Sequence, residues 1–254
     1  MTNAERFEKD ATLYAAFRPT YPDSLLALFV ERILAVQPHA GDAVIDVGSG
    51  SGIFTRQLRA RRPGSIPLIG IEPAEAMREQ ALRAAMPGVE YREGSAEALS
   101  FPAHSARAII AATAAHWFDR PRFYASATQV LAPGGLLAIA EYVRDKNGSP
   151  AARAVIDFLK EHGEPRAYAR PDYPGELRGV GRFMSVDAFV ERQILSLTMA
   201  EFVGLALSSS HARHAIAKMG REGAEAEVRR IGAPLADQTG RVPFGYIFQL
   251  FIAQ

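Results

Sequence analysis

The stretch Val44-Ile45-Asp46-Val47-Gly48-Ser49-Gly50-Ser51-Gly52 constrains this chain more than any other. An apolar run ends in an acid, glycine then alternates with serine, and Phe54 to Leu58 reads as a helix start. The order is strand, turn, helix, with the turn stripped of side chains. Glycine at alternate positions permits positive φ and lets a ligand approach the main chain. The first N–H groups of the following helix lack intrahelical partners and face whatever lies on the turn. A plain tight connection is the other reading of such a loop.

A pyrophosphate-binding turn follows G-x-G-x-x-G. Here the third position of that pattern is Ile53, which disfavours a nicotinamide oxidoreductase. A second acid strengthens the case for a ligand. The apolar run Ile66–Ile71 ends in Glu72, about twenty residues past the last glycine, where a ribose-binding acid is expected. A carboxylate there can accept both ribose hydroxyls in charge-assisted bonds. An ordinary surface Glu before Pro73 is the alternative.

The spacing D-x-G-x-G-x-G resembles the first motif of the class I, Rossmann-like S-adenosylmethionine-dependent methyltransferases. Further strings resemble the small-molecule members of that class, related to trans-aconitate methyltransferase and to type 11 methyltransferase-domain proteins. They are Tyr14-x-x-x-Arg18-Pro19-x-Tyr21-Pro22, Gly94-Ser95-Ala96-Glu97-Ala98-Leu99 with Phe101-Pro102, His116-Trp117-Phe118-Asp119, and Val130-Leu131-Ala132-Pro133-Gly134-Gly135. The resemblance is tightest over residues 44–142. It implies S-adenosylmethionine as cofactor, with Asp46 toward the ammonium end, Gly48, Gly50 and Gly52 under it, and Glu72 on the ribose. It further implies Ser95, Ala96 and Glu97 at the adenine, Ala112 at a strand end, and Tyr14 over the pocket. His116 and Trp117 would border the transferable methyl, and Arg18 would meet an anionic group. Tyr21 would contact the substrate; tyrosines 14 and 21 can instead pack on the core. Phe118 reads as a core anchor, and a satisfied buried imidazole is the alternative for His116.

The remaining pattern sets the fold class. A helix over Leu25–Val36, capped by Asp23 or Ser24, precedes β-α repeated five times. Strands are expected at Val89–Arg92, Ala106–Ala112, Leu136–Tyr142, Val190–Leu197 and Val242–Ile252. Helices are expected at Ala74–Ala85, Arg120–Leu131, Ala151–Glu161, Met199–Ser208 and Arg221–Ile231. Such alternation implies an α/β, doubly wound, mostly parallel sheet. With what the family adds, this is a seven-stranded Rossmann-like sheet with a C-terminal antiparallel edge hairpin and an N-terminal strap. We expect one methyltransferase domain over 1–254, with a cofactor-binding core at 40–145 and substrate or lid elements at 1–24 and 146–235. The stretch 163–183, rich in Pro, Gly, Arg and Tyr, reads as a long loop. Its Arg166, Arg170 and Arg178, with Tyr168 and Tyr173, can grip an anionic or aromatic substrate, or simply be solvated.

Composition narrows the function. A net charge of +1 carries no electrostatic footprint for nucleic acid. The absence of cysteine removes disulfides, thiolate metal sites and covalent pyrimidine C5 chemistry. No N/D-P-P-Y string follows the fourth strand, which argues against amino methylation of a base. The polar start Met1–Asp10 is unlike a signal peptide, and no apolar run is long enough to span a bilayer. A cytoplasmic protein, monomer or homodimer, with no metal, no membrane partner and a small-molecule substrate is expected. The expected reaction is O-methylation of an organic acid, with arginines holding the anion and His116 as base where the acceptor needs one. O- or C-methylation of a phenolic metabolite, or cofactor binding without turnover, are the alternatives.

Overall fold

The computed structural model describes residues 18–37, 42–61, 65–163, 170–209 and 211–254. Its elements run α1 (Asp23–Ala35), β1 (Ala43–Val47), α2 (Ile53–Ala60), β2 (Leu68–Ile71), α3 (Glu75–Arg83), β3 (Val89–Arg92) and β4 (Ala106–Ala112). A single 3₁₀ turn (Ala115–Trp117) precedes α4 (Arg120–Val130), β5 (Leu131–Arg144), α5 (Pro150–His162), α6 (Tyr173–Gly179) and β6 (Val186–Leu197). The chain ends with α7 (Met199–Leu207), α8 (Ala212–Gly232), a second 3₁₀ turn (Ala233–Leu235) and β7 (Val242–Ala253).

The strands form one seven-stranded sheet in the order β3-β2-β1-β4-β5-β7-β6. The first five are parallel, and β7 runs antiparallel to both β5 and β6. This is the doubly wound, mostly parallel α/β sheet with an antiparallel edge pair. Every residue of β1 and β2 is buried, as expected of parallel strands covered on both faces. Strand order reverses between β1 and β4, which opens a crevice beyond their carboxyl ends.

Alternation along the strands splits the core into two apolar layers. One layer joins Phe29 and Ile33 of α1, Leu58 of α2, Phe158 of α5, Phe202 of α7 and Phe248 of β7. The other joins Ile45, Ile109 and Ile139 to Phe123 of α4 and to Tyr173 and Leu177 of α6. Polar groups lock the ends. Ser149 accepts the amides of Ala152 at 3.1 Å and Gly245 at 2.9 Å, fixing the start of α5 to β7. Arg107, buried in β4, donates through Nε to Asp42 at 2.6 Å just ahead of β1.

Several expectations need correction. Neither Asp23 nor Ser24 caps α1; Pro22 occupies that position. Asp23 pairs with Arg61 and Ser24 donates to Glu191. No helix joins β3 to β4, so the β-α alternation is interrupted once. That connection holds only an isolated bridge between Ser95 and Ala98. Strand β5 starts at Leu131, and its pairing skips from Leu131 to Leu136, so Pro133-Gly134-Gly135 is a bulge within the strand. Part of the expected loop 163–183 is helical, with Asp172 capping α6 through the amide of Gly175. Helix α8 starts earlier than expected, at Ala212, and is broken at Gly220, where φ is +75°.

Candidate cofactor and acceptor site

The turn after β1 behaves as its composition demands. Gly48, Gly50 and Gly52 have φ of +70°, +55° and +75°, a region that costs other residues strain. A Cβ on Gly48 would come within 2.6 Å of Ala114 Cβ and 3.0 Å of the Phe118 ring, so the turns after β1 and β4 touch. A Cβ on Gly52 would come within 2.2 Å of the Tyr91 hydroxyl. Above Gly50 nothing lies within 4 Å. The carbonyl of Ile71 accepts the amides of Gly48 at 2.7 Å and Ser49 at 3.0 Å, anchoring the turn to the end of β2.

Both acids face this turn. Glu72 accepts the Gly50 amide at Oε2 and the Ala74 amide at Oε1, each at 2.9 Å. Burial raises its pKa, against the pull of those two amides and of Arg78. Asp46 accepts from Thr55 Oγ1 at 2.6 Å through Oδ2. Its Oδ1, and the hydroxyls of Ser49 and Ser51, are buried with no hydrogen-bond partner among the described residues. Burial pushes Asp46 up to about 7, with the Thr55 bond opposing and the Glu72 charge adding. A buried polar atom left without a partner is costly. Three around one side-chain-free bend, under open space, fit a polar ligand with a cationic group. The S-adenosylmethionine chemistry expected for these residues matches that donor set.

The loop after β3 lies alongside. Ala96 is buried, and Ser95 Oγ donates to Glu97 Oε2. Glu97 Oε1 accepts the Asp119 amide at 3.0 Å. Burial would raise the Glu97 pKa, but these bonds from Ser95 and Asp119 outweigh it and leave it lowered. The Glu97 carboxylate therefore ties this loop to the turn after β4.

Ala112 ends β4 opposite Ala140, and Thr113 follows at φ +55°. The next turn carries His116 and Trp117, with rings 5.0 Å apart. His116 Nδ1 lies 3.4 Å from Oε1 of Glu141, a buried acid in β5 that also accepts from the Tyr173 hydroxyl at 3.0 Å. Phe118 packs on Phe123 with ring centroids 5.1 Å apart, the core role expected of it. Glu141 was not among the expected site residues. Its signal is an acid inside the otherwise apolar run Leu136–Tyr142.

The strap Arg18–Pro22 crosses the same end of the sheet. Arg18 Nη1 donates to the Tyr142 hydroxyl at 3.2 Å. Tyr21 is buried against Phe54, Tyr142 and Phe248, and Gln57 bonds both its amide and its carbonyl. Its ring is thus a core anchor, and only its hydroxyl, 2.6 Å from Thr113 Oγ1, reaches the strand end. Tyr173 is buried beneath Glu141 rather than lining a loop. Arg170 and Arg178 are exposed, and among the described residues no hydrogen bond ties either to the site. Tyr14, Arg166 and Tyr168 lie outside the described residues. Among those described, no cluster of His, Asp and Glu has the arrangement to hold a metal, and no helix is long and apolar enough to cross a membrane.

Residues 45–139 match the family model of the methyltransferase domain. A methyltransferase of Dictyostelium discoideum is 34% identical over 138 residues, covering 54% of this chain and 49% of that protein. An uncharacterised methyltransferase of Mycobacterium tuberculosis is 32% identical over 151 residues, covering 59% and 54%. These matches span about half the length of those relatives. Among solved structures, a type II methyltransferase from Anaeromyxobacter dehalogenans superposes with a TM-score of 0.64 at 24% identity, over 94% of this chain and 97% of that one. A phosphoethanolamine N-methyltransferase of Haemonchus contortus, in complex with S-adenosylhomocysteine, gives 0.53 at 15% identity over 98% and 56%. Residues 45–139 thus carry a methyltransferase domain, and the sheet order and glycine turn around them are those of a Rossmann-like fold that binds S-adenosylmethionine.

Proposed function

We propose that this chain transfers the methyl group of S-adenosylmethionine to an oxygen of a small organic acid. The observation that carries the cofactor half is the buried Asp46 Oδ1 left without a partner among the described residues at the foot of the glycine turn. When bound, the cofactor supplies a methyl group already activated on a sulfonium. The leaving group therefore needs no acid, and the protein's task is placement and exclusion of water. Positioning of that kind lowers a barrier by roughly 7–11 kcal/mol.

Asp46 meets the cationic amino-acid end, Glu72 the ribose, and the backbone at Ser95 and Ala96 the adenine. His116 borders the acceptor. Its Nδ1 faces Glu141 at 3.4 Å, and the imidazole takes the proton from an acceptor hydroxyl. A carboxylate acceptor is already ionised and needs no such step. Arg18 holds the acceptor's anionic group. We take 40–145 as the cofactor-binding part, and 1–24 with 146–235 as the acceptor-facing parts.

A phenolic acceptor is the second reading, supported by the aromatic Trp117 ring next to His116. The test is calorimetric titration with S-adenosylhomocysteine and, separately, NADH. Methyl transfer to a panel of carboxylic acids, hydroxy acids and phenols follows. Uptake of S-adenosylhomocysteine alone, with product from the acids, is the expected result. NADH uptake overturns the cofactor reading, and turnover confined to phenols overturns the acceptor class.

A further inference from the structure

Arg144 is the last residue of β5, and Tyr142 shares its face of the sheet because the side-chain period of a strand is two. Tyr246 of β7 stands directly opposite Arg144 in the antiparallel register. The Tyr142 and Tyr246 rings meet edge to face at 5.5 Å, and Arg18 reaches the Tyr142 hydroxyl from the strap. Two guanidinium groups thus converge on one wall of tyrosines. The Arg144 Nε is buried with no hydrogen-bond partner among the described residues. The described groups that act on the Arg144 charge are Tyr246, Arg18 and Tyr142, none of them a carboxylate, and burial and Arg18 both disfavour that charge. The neighbouring Asp145 is turned to the opposite face, where its Oδ1 accepts the amides of Asn147 and Gly148.

A guanidinium cannot shed its proton. A buried one beside a like charge is expensive unless an anion joins it, and its fork fits an oxyanion through paired hydrogen bonds. A run of side-chain contacts links the place to the end of β4. The Tyr21 ring lies 5.7 Å from that of Tyr142, and its hydroxyl reaches Thr113, three residues before His116. We propose that Arg144 and Arg18 form an oxyanion subsite that takes the acid group of the methyl acceptor. This rests on the reading of the chain as a methyltransferase of acids, and adds Arg144 as the residue that selects them.

The test uses the full chain saturated with S-adenosylhomocysteine. Its thermal midpoint is followed with sodium succinate or sodium sulfate, against sodium chloride at matched ionic strength. Wild type should be stabilised by both oxyanions beyond chloride. Arg144→Met should lose most of that shift and keep its affinity for S-adenosylhomocysteine within about two-fold. With an acid found by the panel, the same variant should raise KM about ten-fold and change kcat little. Should Arg144→Met not fold, Arg144→Lys, which keeps the charge without the fork, should show a reduced shift.

An undiminished shift in either variant overturns the subsite, as does a wild type that answers oxyanions no more than chloride. Loss of S-adenosylhomocysteine affinity in Arg144→Met would assign the guanidinium to the cofactor's own carboxylate and overturn it too. A wild type that binds no S-adenosylhomocysteine sinks the underlying methyltransferase reading, which the other outcomes leave standing.

Discussion

The Glu72 carboxylate holds the Gly50 amide at 2.9 Å and, through its other oxygen, the Ala74 amide at the same distance. The acid at the end of β2 therefore fixes the turn after β1 and the approach to α3 together. A carboxylate can do this because both its oxygens accept. Glu72→Gln presents an NH₂ group to one of the two amides, so one bond is lost and an N–H is opposed. We expect a loss of about 1–3 kcal/mol in stability, together with weaker binding of S-adenosylhomocysteine. Urea denaturation of the two proteins checks the first effect and calorimetry the second. Equal stability of the variant would show that the turn holds its shape without the acid.

The three glycines of the turn should fail differently. Gly48→Ala and Gly52→Ala drive a Cβ into Ala114 and the Tyr91 hydroxyl, so both should lose stability and cofactor binding together. Gly50→Ala meets no atom within 4 Å. Its cost to the fold is the positive φ alone, about 1–2 kcal/mol. Its new methyl, however, stands in the space assigned to the ligand. The expected result is a folded protein that no longer takes up S-adenosylhomocysteine, read by circular dichroism beside calorimetry. Normal uptake by Gly50→Ala would move the ligand off this turn.

These contacts also explain what was legible beforehand. Strand, turn and helix around Asp46 could be read from residue order alone, because a parallel strand is apolar throughout and a bare turn needs glycine. Glu72 followed from its distance along the chain. Glu141 and Arg144 did not, because their meaning depends on which residues stand across β5 and β7 and under the turn after β4. Only the fold brings Tyr173, 32 residues away along the chain, to Glu141. The missing helix between β3 and β4 has a local cause. Between Gly94 and Pro102, Ser95 spends its hydroxyl on the Glu97 side chain, and that carboxylate reaches across to Asp119.

The pairing of His116 with Glu141 makes a prediction that depends on the acceptor. If His116 takes a proton from an acceptor hydroxyl, His116→Asn should lower kcat about 10²–10⁴-fold with hydroxyl acceptors. With carboxylate acceptors the same variant should lose little. Glu141→Gln keeps the shape of the group but removes the charge facing Nδ1, so it should lower kcat for hydroxyl acceptors only, and shift the pH profile of that reaction. Steady-state kinetics on one acceptor of each kind decide the matter. Equal losses on both would make His116 a wall of the pocket, with no role in proton transfer.

Asp46 ties stability and cofactor binding to pH in opposite directions. In the folded chain burial raises its pKa from 3.8 to about 7. Between those values the unfolded chain has released a proton that the folded chain still holds. Stability therefore falls as pH rises through this window and levels off above about 7. A cationic ligand favours the ionised acid, so affinity for S-adenosylmethionine should rise from about pH 6 to 8 as the folded protein loses that proton. Asp46→Asn keeps an acceptor for the Thr55 hydroxyl and removes the charge. The difference between wild type and variant should then isolate the group. Relative to wild type, the variant gains stability from about pH 4 to 7, and its affinity is flat across neutrality and about ten-fold lower at pH 8. Thermal unfolding and calorimetry at stepped pH measure the two curves. Parallel curves for the two proteins would mean that Asp46 does not titrate there, and that the ammonium end of the ligand lies elsewhere.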